Sequence, residues 1–141
     1  FPLYRWKDSR VKALCEVIET GLKHFGKEYT DLLNVIIRVY RPGDILNFHT
    51  DRIEFGEVVY GIILRNEDPS RGLILTKRHE QPYMIKEKSG TLWALTEESR
   101  FEWEHGYCSN FSLDQDILRT SITFRFFSEK RLIPKKEFEE E

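Results

Sequence analysis

From residue 34 to residue 127 the sequence breaks into eight short runs rich in Val, Ile and aromatic residues. They cover 34–40, 46–51, 58–64, 73–76, 82–86, 91–96, 101–105 and 118–127. Each is of strand length, and most are divided by Gly, Asn, Asp, Pro or Ser, as in Arg41-Pro42-Gly43-Asp44, 66–72 and 109–116. One helix precedes them. Val11, Leu14, Cys15, Ile18 and Leu22 recur at helical spacing from Arg10 to about His24, with Ser9 placed as N-cap and Gly26 as the stop. A single amphipathic helix followed by eight short strands predicts a mostly β domain with a packing helix, in the form of a double-stranded β-helix or jelly roll.

Composition and charge narrow the class. With 22 basic and 24 acidic residues the net charge is −2, which argues against a histone-like nucleic-acid binder and leaves room for a local basic patch. Arg65, Arg71, Lys77, Arg78 and His79 form one such group, read first as solvated charges and second as a phosphate-binding groove. No apolar run approaches the roughly 18–20 residues that span a bilayer, so no membrane partner is expected. Cys15 and Cys108 form neither a CxxC pair nor a disulfide framework, which predicts an intracellular compartment, cytoplasmic or nuclear. Cys15 lies on the apolar stripe of the helix, where packing is its expected role. Residues 1–128 are expected to form one domain and 129–141 a charged, solvated C-terminal tail. A beginning at Phe1 suggests a piece of a longer protein.

Three groups of residues carry chemistry. In His49-Thr50-Asp51 the first and third residues share one face of an extended chain, so imidazole and carboxylate can converge on one ion. Alone, such a pair is more often a structural accident. In Phe101-Glu102-Trp103-Glu104-His105 strict alternation puts Phe101, Trp103 and His105 inward. An inward His can be a satisfied core residue, but beside two large apolar side chains a bond to metal would remove the cost of burying it. Two His and one carboxylate make the facial triad suited to non-haem Fe(II). In Arg119-Thr120-Ser121-Ile122-Thr123-Phe124-Arg125, Arg119, Ser121, Thr123 and Arg125 share a face opposite Leu118, Ile122, Phe124 and Phe126. Two inward arginines call for anions, such as the carboxylates of a dicarboxylic acid; on a solvated face they call for nothing.

Tyr40-Arg41-Pro42-Gly43-Asp44, His49-Thr50-Asp51, Ser99-Arg100-Phe101-Glu102-Trp103-Glu104-His105-Gly106 and Arg119 to Arg125 occur in an order that resembles the AlkB family of oxidative nucleic-acid demethylases. The resemblance implies that His49, Asp51 and His105 bind Fe(II), that Tyr40 and Arg119 hold the distal carboxylate of 2-oxoglutarate, and that Arg125 pairs with the keto-acid end or with Asp51. It places Arg38 and Ser121 where several relatives carry Asn against the co-substrate. Trp93 is either a wall of that pocket or a core residue. The implied reaction consumes molecular oxygen and 2-oxoglutarate, releases succinate, and removes N-methyl groups from methylated RNA or DNA as formaldehyde.

Two departures widen the choice of substrate. Ile53 stands where repair members of the family carry an acid, and only Phe1 to Ser9 precede the first helix, where such enzymes build a nucleotide-recognition lid. The lid then lies upstream, or substrate selection differs. Tyr4 and Trp6 are placed either to stack on a base or to cover the helix. Hydroxylation or demethylation of a protein side chain is the alternative within the fold. A silent jelly-roll binding module and a zinc hydrolase are the readings outside it. His24 and His79 have no visible partner and stay outside the metal set.

Overall fold

In the computed structural model, which describes residues 12–110 and 112–128, the chain runs α1 (Lys12–Phe25), β1 (Leu32–Tyr40), β2 (Ile45–His49), β3 (Val59–Asn66), β4 (Ile74–Thr76), β5 (Tyr83–Met84), β6 (Leu92–Leu95), α2 (Glu97–Phe101), β7 (Glu104–Cys108) and β8 (Arg119–Phe126). The strands form two four-stranded sheets, ordered β1-β8-β3-β6 and β2-β7-β4-β5, in which every pairing is antiparallel. This is the expected mostly β jelly roll with one main helix. Placements made for Tyr4, Trp6, Ser9, Arg10, Val11 and the tail 129–141 lie outside the described residues.

Alternation along β8 organises the domain. One face of this central strand sends Arg119, Ser121, Thr123 and Arg125 into the space between the sheets. The other buries Ile122, Phe124 and Phe126 beneath α1, where Ile18 and Leu22 meet them together with Val35 and Ile62. Full burial of an aliphatic side chain contributes about 1.5–3 kcal/mol, so this layer anchors the helix. Gly21 permits the close approach: a Cβ there would stand 2.7 Å from Phe124 Cζ and 2.9 Å from Ile62 Cδ1. A helical glycine costs about 1 kcal/mol of propensity, which the contact with the sheet offsets. Cys15 is buried on the same stripe, as its spacing predicts.

The structure departs from the sequence expectation between β6 and β7. The strand expected over 101–105 begins only at Glu104, because Thr96 caps the short helix α2 and its N–H bonds to Ser99 Oγ at 2.9 Å. Phe101 therefore ends a helix and is exposed, while Trp103 precedes the strand and packs against Val59, Leu75 and Leu95. The inward residues of β7 are His105 and Tyr107. His105 and Trp103 keep their predicted direction, with Glu102 and Glu104 exposed, and Phe101 alone departs from the alternation.

Candidate metal centre and anion pocket

Strand register brings the two histidines together. β2 and β7 pair so that His49 lies directly opposite His105, and their rings approach to 4.4 Å between centroids. His49 Nδ1 lies 2.6 Å from the Asn47 carbonyl oxygen. Two acceptors cannot meet at that separation, so Nδ1 carries a proton and Nε2 is the nitrogen left for a metal.

Asp51 arrives by a different route from the one its spacing suggested. β2 ends at His49, and Asp51 belongs to the loop that follows. Arg100 of α2 sets that loop. Its fully buried guanidinium donates to the backbone oxygens of Asp51 at 2.8 Å, Arg52 at 2.7 Å and Gly56 at 3.0 Å. A planar fork of donors suits three converging carbonyls in a way that a single ammonium cannot. Burial pulls the pKa of Arg100 below its ordinary value.

The Asp51 carboxylate then faces both rings. Oδ1 accepts from Arg125 Nη2 at 2.8 Å and stands 3.4 Å from His49 Nε2, whereas Oδ2 lies 3.8 Å from His105 Nε2. One donor atom from each of His49, Asp51 and His105 falls within 4.8 Å of the others. Asp51 Oδ2 is buried with no hydrogen-bond partner. An unmatched carboxylate oxygen costs free energy that a cation removes, and this donor set fits Fe(II). Burial, reinforced by His49, Arg125 and Arg100, pushes the His105 pKa down to about 4 against the opposing pull of Asp51. His105 is thus neutral, with a lone pair to offer, well below neutral pH.

Beside the triad, Arg38 and Tyr40 of β1, Trp93 of β6, and Arg119, Ser121 and Arg125 of β8 line the same pocket. Every candidate co-substrate residue named from the sequence is therefore brought to one place. Such a cluster of cations next to a metal-ligand triad fits a 2-oxo acid such as 2-oxoglutarate. Arg119 also has a partner that sequence reasoning missed. Glu87 is fully buried, and its Oε1 accepts from Arg119 Nε at 2.9 Å and Leu73 N at 3.1 Å. Its Oε2 accepts from Arg119 Nη2 at 2.9 Å and Trp93 Nε1 at 3.0 Å. Gly61 opens the place for the indole, since a Cβ there would lie 2.3 Å from Trp93 Cε2. Trp93 is thus both pocket wall and core residue. The Arg119 guanidinium also lies 4.5 Å from the Tyr107 ring centroid and 5.1 Å from that of Tyr40.

The basic group, read first as solvated charges and second as a groove, is largely neutralised by acids of the chain itself. Arg65 pairs with Glu67, Arg71 lies 3.6 Å from Asp68, and Lys77 lies 3.5 Å from Glu102. Arg78 and His79 are exposed on a turn. No helix among the described residues is long and apolar enough to cross a membrane.

No family model and no curated protein sequence matches the chain. Among solved structures it is similar to the crystal structure of a Pseudomonas putida prolyl-4-hydroxylase, with a TM-score of 0.53 and 18% identity, over 86% of this chain and 68% of that one. At that identity the likeness is one of fold, and it places the two-sheet architecture among jelly rolls.

Proposed function

We propose that the protein is an Fe(II)- and 2-oxoglutarate-dependent dioxygenase. The observation that carries this reading is the meeting of His49, Asp51 and His105 in a jelly-roll pocket that also presents Arg38, Arg119 and Arg125. Bound Fe(II) with molecular oxygen supplies oxidative decarboxylation of the 2-oxo acid to succinate, coupled to hydroxylation of a substrate C–H bond. The chain's own part is to hold and orient. Asn47 fixes the His49 tautomer, Arg125 holds one oxygen of Asp51, and Arg100 holds the loop. No side-chain general base is required.

Two substrate classes fit such chemistry. Similarity to a protein named as a prolyl hydroxylase supports hydroxylation of a protein side chain, and so does the internal pairing of most of the basic group. The ordered motifs that resemble the AlkB family support oxidative removal of N-methyl groups from RNA or DNA. There the new hydroxymethyl group leaves as formaldehyde.

The test is succinate formation from 2-oxoglutarate with Fe(II) and oxygen, with a His49→Ala control and mass spectrometry of two candidate sets, proline-containing peptides and methylated oligonucleotides. A gain of 16 Da on a peptide selects the first class, and formaldehyde with loss of a methyl group selects the second. Absence of iron-dependent succinate from folded, iron-loaded protein sinks the dioxygenase reading and leaves a binding module.

A further inference from the structure

Three arginines face the pocket, and their counter-ions differ. Arg125 is matched by Asp51 and Arg119 by Glu87. Arg38 sits on β1 directly opposite Ser121 of β8, half-buried at the same pocket, and its side chain makes no hydrogen bond or ion pair among the described residues. The positive charge left for an incoming anion is therefore that of Arg38.

Glu87 makes this distribution durable. Its carboxylate meets four donors, two at each oxygen, so it cannot turn away from Arg119 without also abandoning Leu73 N and Trp93 Nε1. Buried donors left unmatched are costly, which keeps the carboxylate in place. A second carboxylate brought to Arg119 would meet a cation already neutralised, with the negative charge of Glu87 beside it. The same carboxylate brought to Arg38 would complete an ion pair. Tyr40 lies two residues along β1 on the same face, and its buried hydroxyl offers a neutral donor near both Arg38 and Arg119.

We propose that Arg38 receives the co-substrate carboxylate remote from the metal triad, and that Glu87 directs it there by neutralising Arg119. The proposal rests on the dioxygenase reading, so its test separates the two. Protein loaded with Zn(II) and kept free of oxygen is titrated by calorimetry with 2-oxoglutarate and with 2-oxopentanoate, which carries a methyl group in place of the distal carboxylate. A charge-assisted contact corresponds to a preference of roughly 10- to 100-fold for 2-oxoglutarate. Arg38→Met is expected to cut that preference to about threefold or less while leaving 2-oxopentanoate binding unchanged, and Arg38→Lys is expected to restore part of it. Full preference retained in Arg38→Met overturns the proposal and returns the distal carboxylate to Arg119. Equal loss for both acids makes Arg38 a structural residue and overturns it as well. Failure of the unsubstituted protein to bind either acid removes the co-substrate reading itself, and this inference with it.

Discussion

Glu87 and Arg119 form a fully buried, two-pronged ion pair, with Nε to Oε1 and Nη2 to Oε2 both at 2.9 Å. Removing one partner strands the other charge in a low-dielectric interior, whereas removing both does not. Glu87→Ala is expected to destabilise the domain by about 3–5 kcal/mol. The double variant Glu87→Met with Arg119→Met is expected to cost less than the single change, because no buried charge remains. Urea denaturation of the three proteins decides the order. A double variant less stable than Glu87→Ala would mean that the pair itself, and not its neutralisation, holds the pocket wall.

Arg100 makes no hydrogen bond to the triad's donor atoms and positions Asp51 through backbone. It grips the carbonyls of Asp51, Arg52 and Gly56, which fixes where the Asp51 carboxylate stands. Residues that orient a metal ligand typically change affinity about 10- to 100-fold when lost, and Arg100→Lys is expected to weaken Zn(II) binding by that order. Competition against a chromophoric chelator measures it. Unchanged affinity in a folded Arg100→Lys protein would show that the loop holds its shape without the guanidinium fork.

These two residues also mark where sequence reading stopped. Alternation along β8 was legible because it depends on which way neighbouring residues of one strand point, whereas Asp51 reaches His49 from the loop beyond β2 and not from a shared strand face. Arg119, Ser121 and Arg125 accordingly lie where expected, as do Arg38 and Tyr40 on β1. Glu87 was not legible. It stands between Lys86 and Lys88 just past the run 82–86, and its partner Arg119 is 32 residues away. The grip of Arg100 on Asp51 likewise spans 49 residues. Periodicity reports the face a residue presents and carries no information on which distant charge will be waiting there. The misplaced strand at residue 101 has a local cause: the capping of α2 by Thr96 outweighed an alternating pattern over five residues.

Gly61 tests whether Trp93 is placed by backbone or by its hydrogen bond. A methyl group at this position would lie 2.3 Å from two atoms of the indole, so the ring must move, and the 3.0 Å bond from Trp93 Nε1 to Glu87 must break with it. Overpacking of this kind costs about 1–3 kcal/mol, and the loss of a donor from Glu87 adds to it. Gly61→Ala is expected to lower the midpoint of denaturation and to shift the tryptophan fluorescence toward the red. An unshifted spectrum would show that the sheet absorbs the methyl group without releasing the indole.

His105 gives the metal-free protein an acid-sensitive stability. Its folded pKa is pushed down to about 4 from the ordinary 6.5, chiefly by burial. Between those values the unfolded chain binds a proton at this position and the folded protein does not, so unfolding takes up protons and stability falls as pH falls. The contribution is complete above about pH 6.5, declines through the window, and is fully lost below about pH 4. At roughly 1.4 kcal/mol for each unit of separation, the loss is on the order of 3 kcal/mol. Carboxylates titrate in the lower part of the same window, so the informative quantity is a difference. Denaturation midpoints for the metal-free protein and for His105→Gln are measured from pH 7 to pH 4, and the two curves are expected to converge as pH falls. Parallel curves would mean that His105 is protonated in the fold as readily as in the unfolded chain. The buried lone pair inferred for the metal centre would then be absent under mildly acidic conditions.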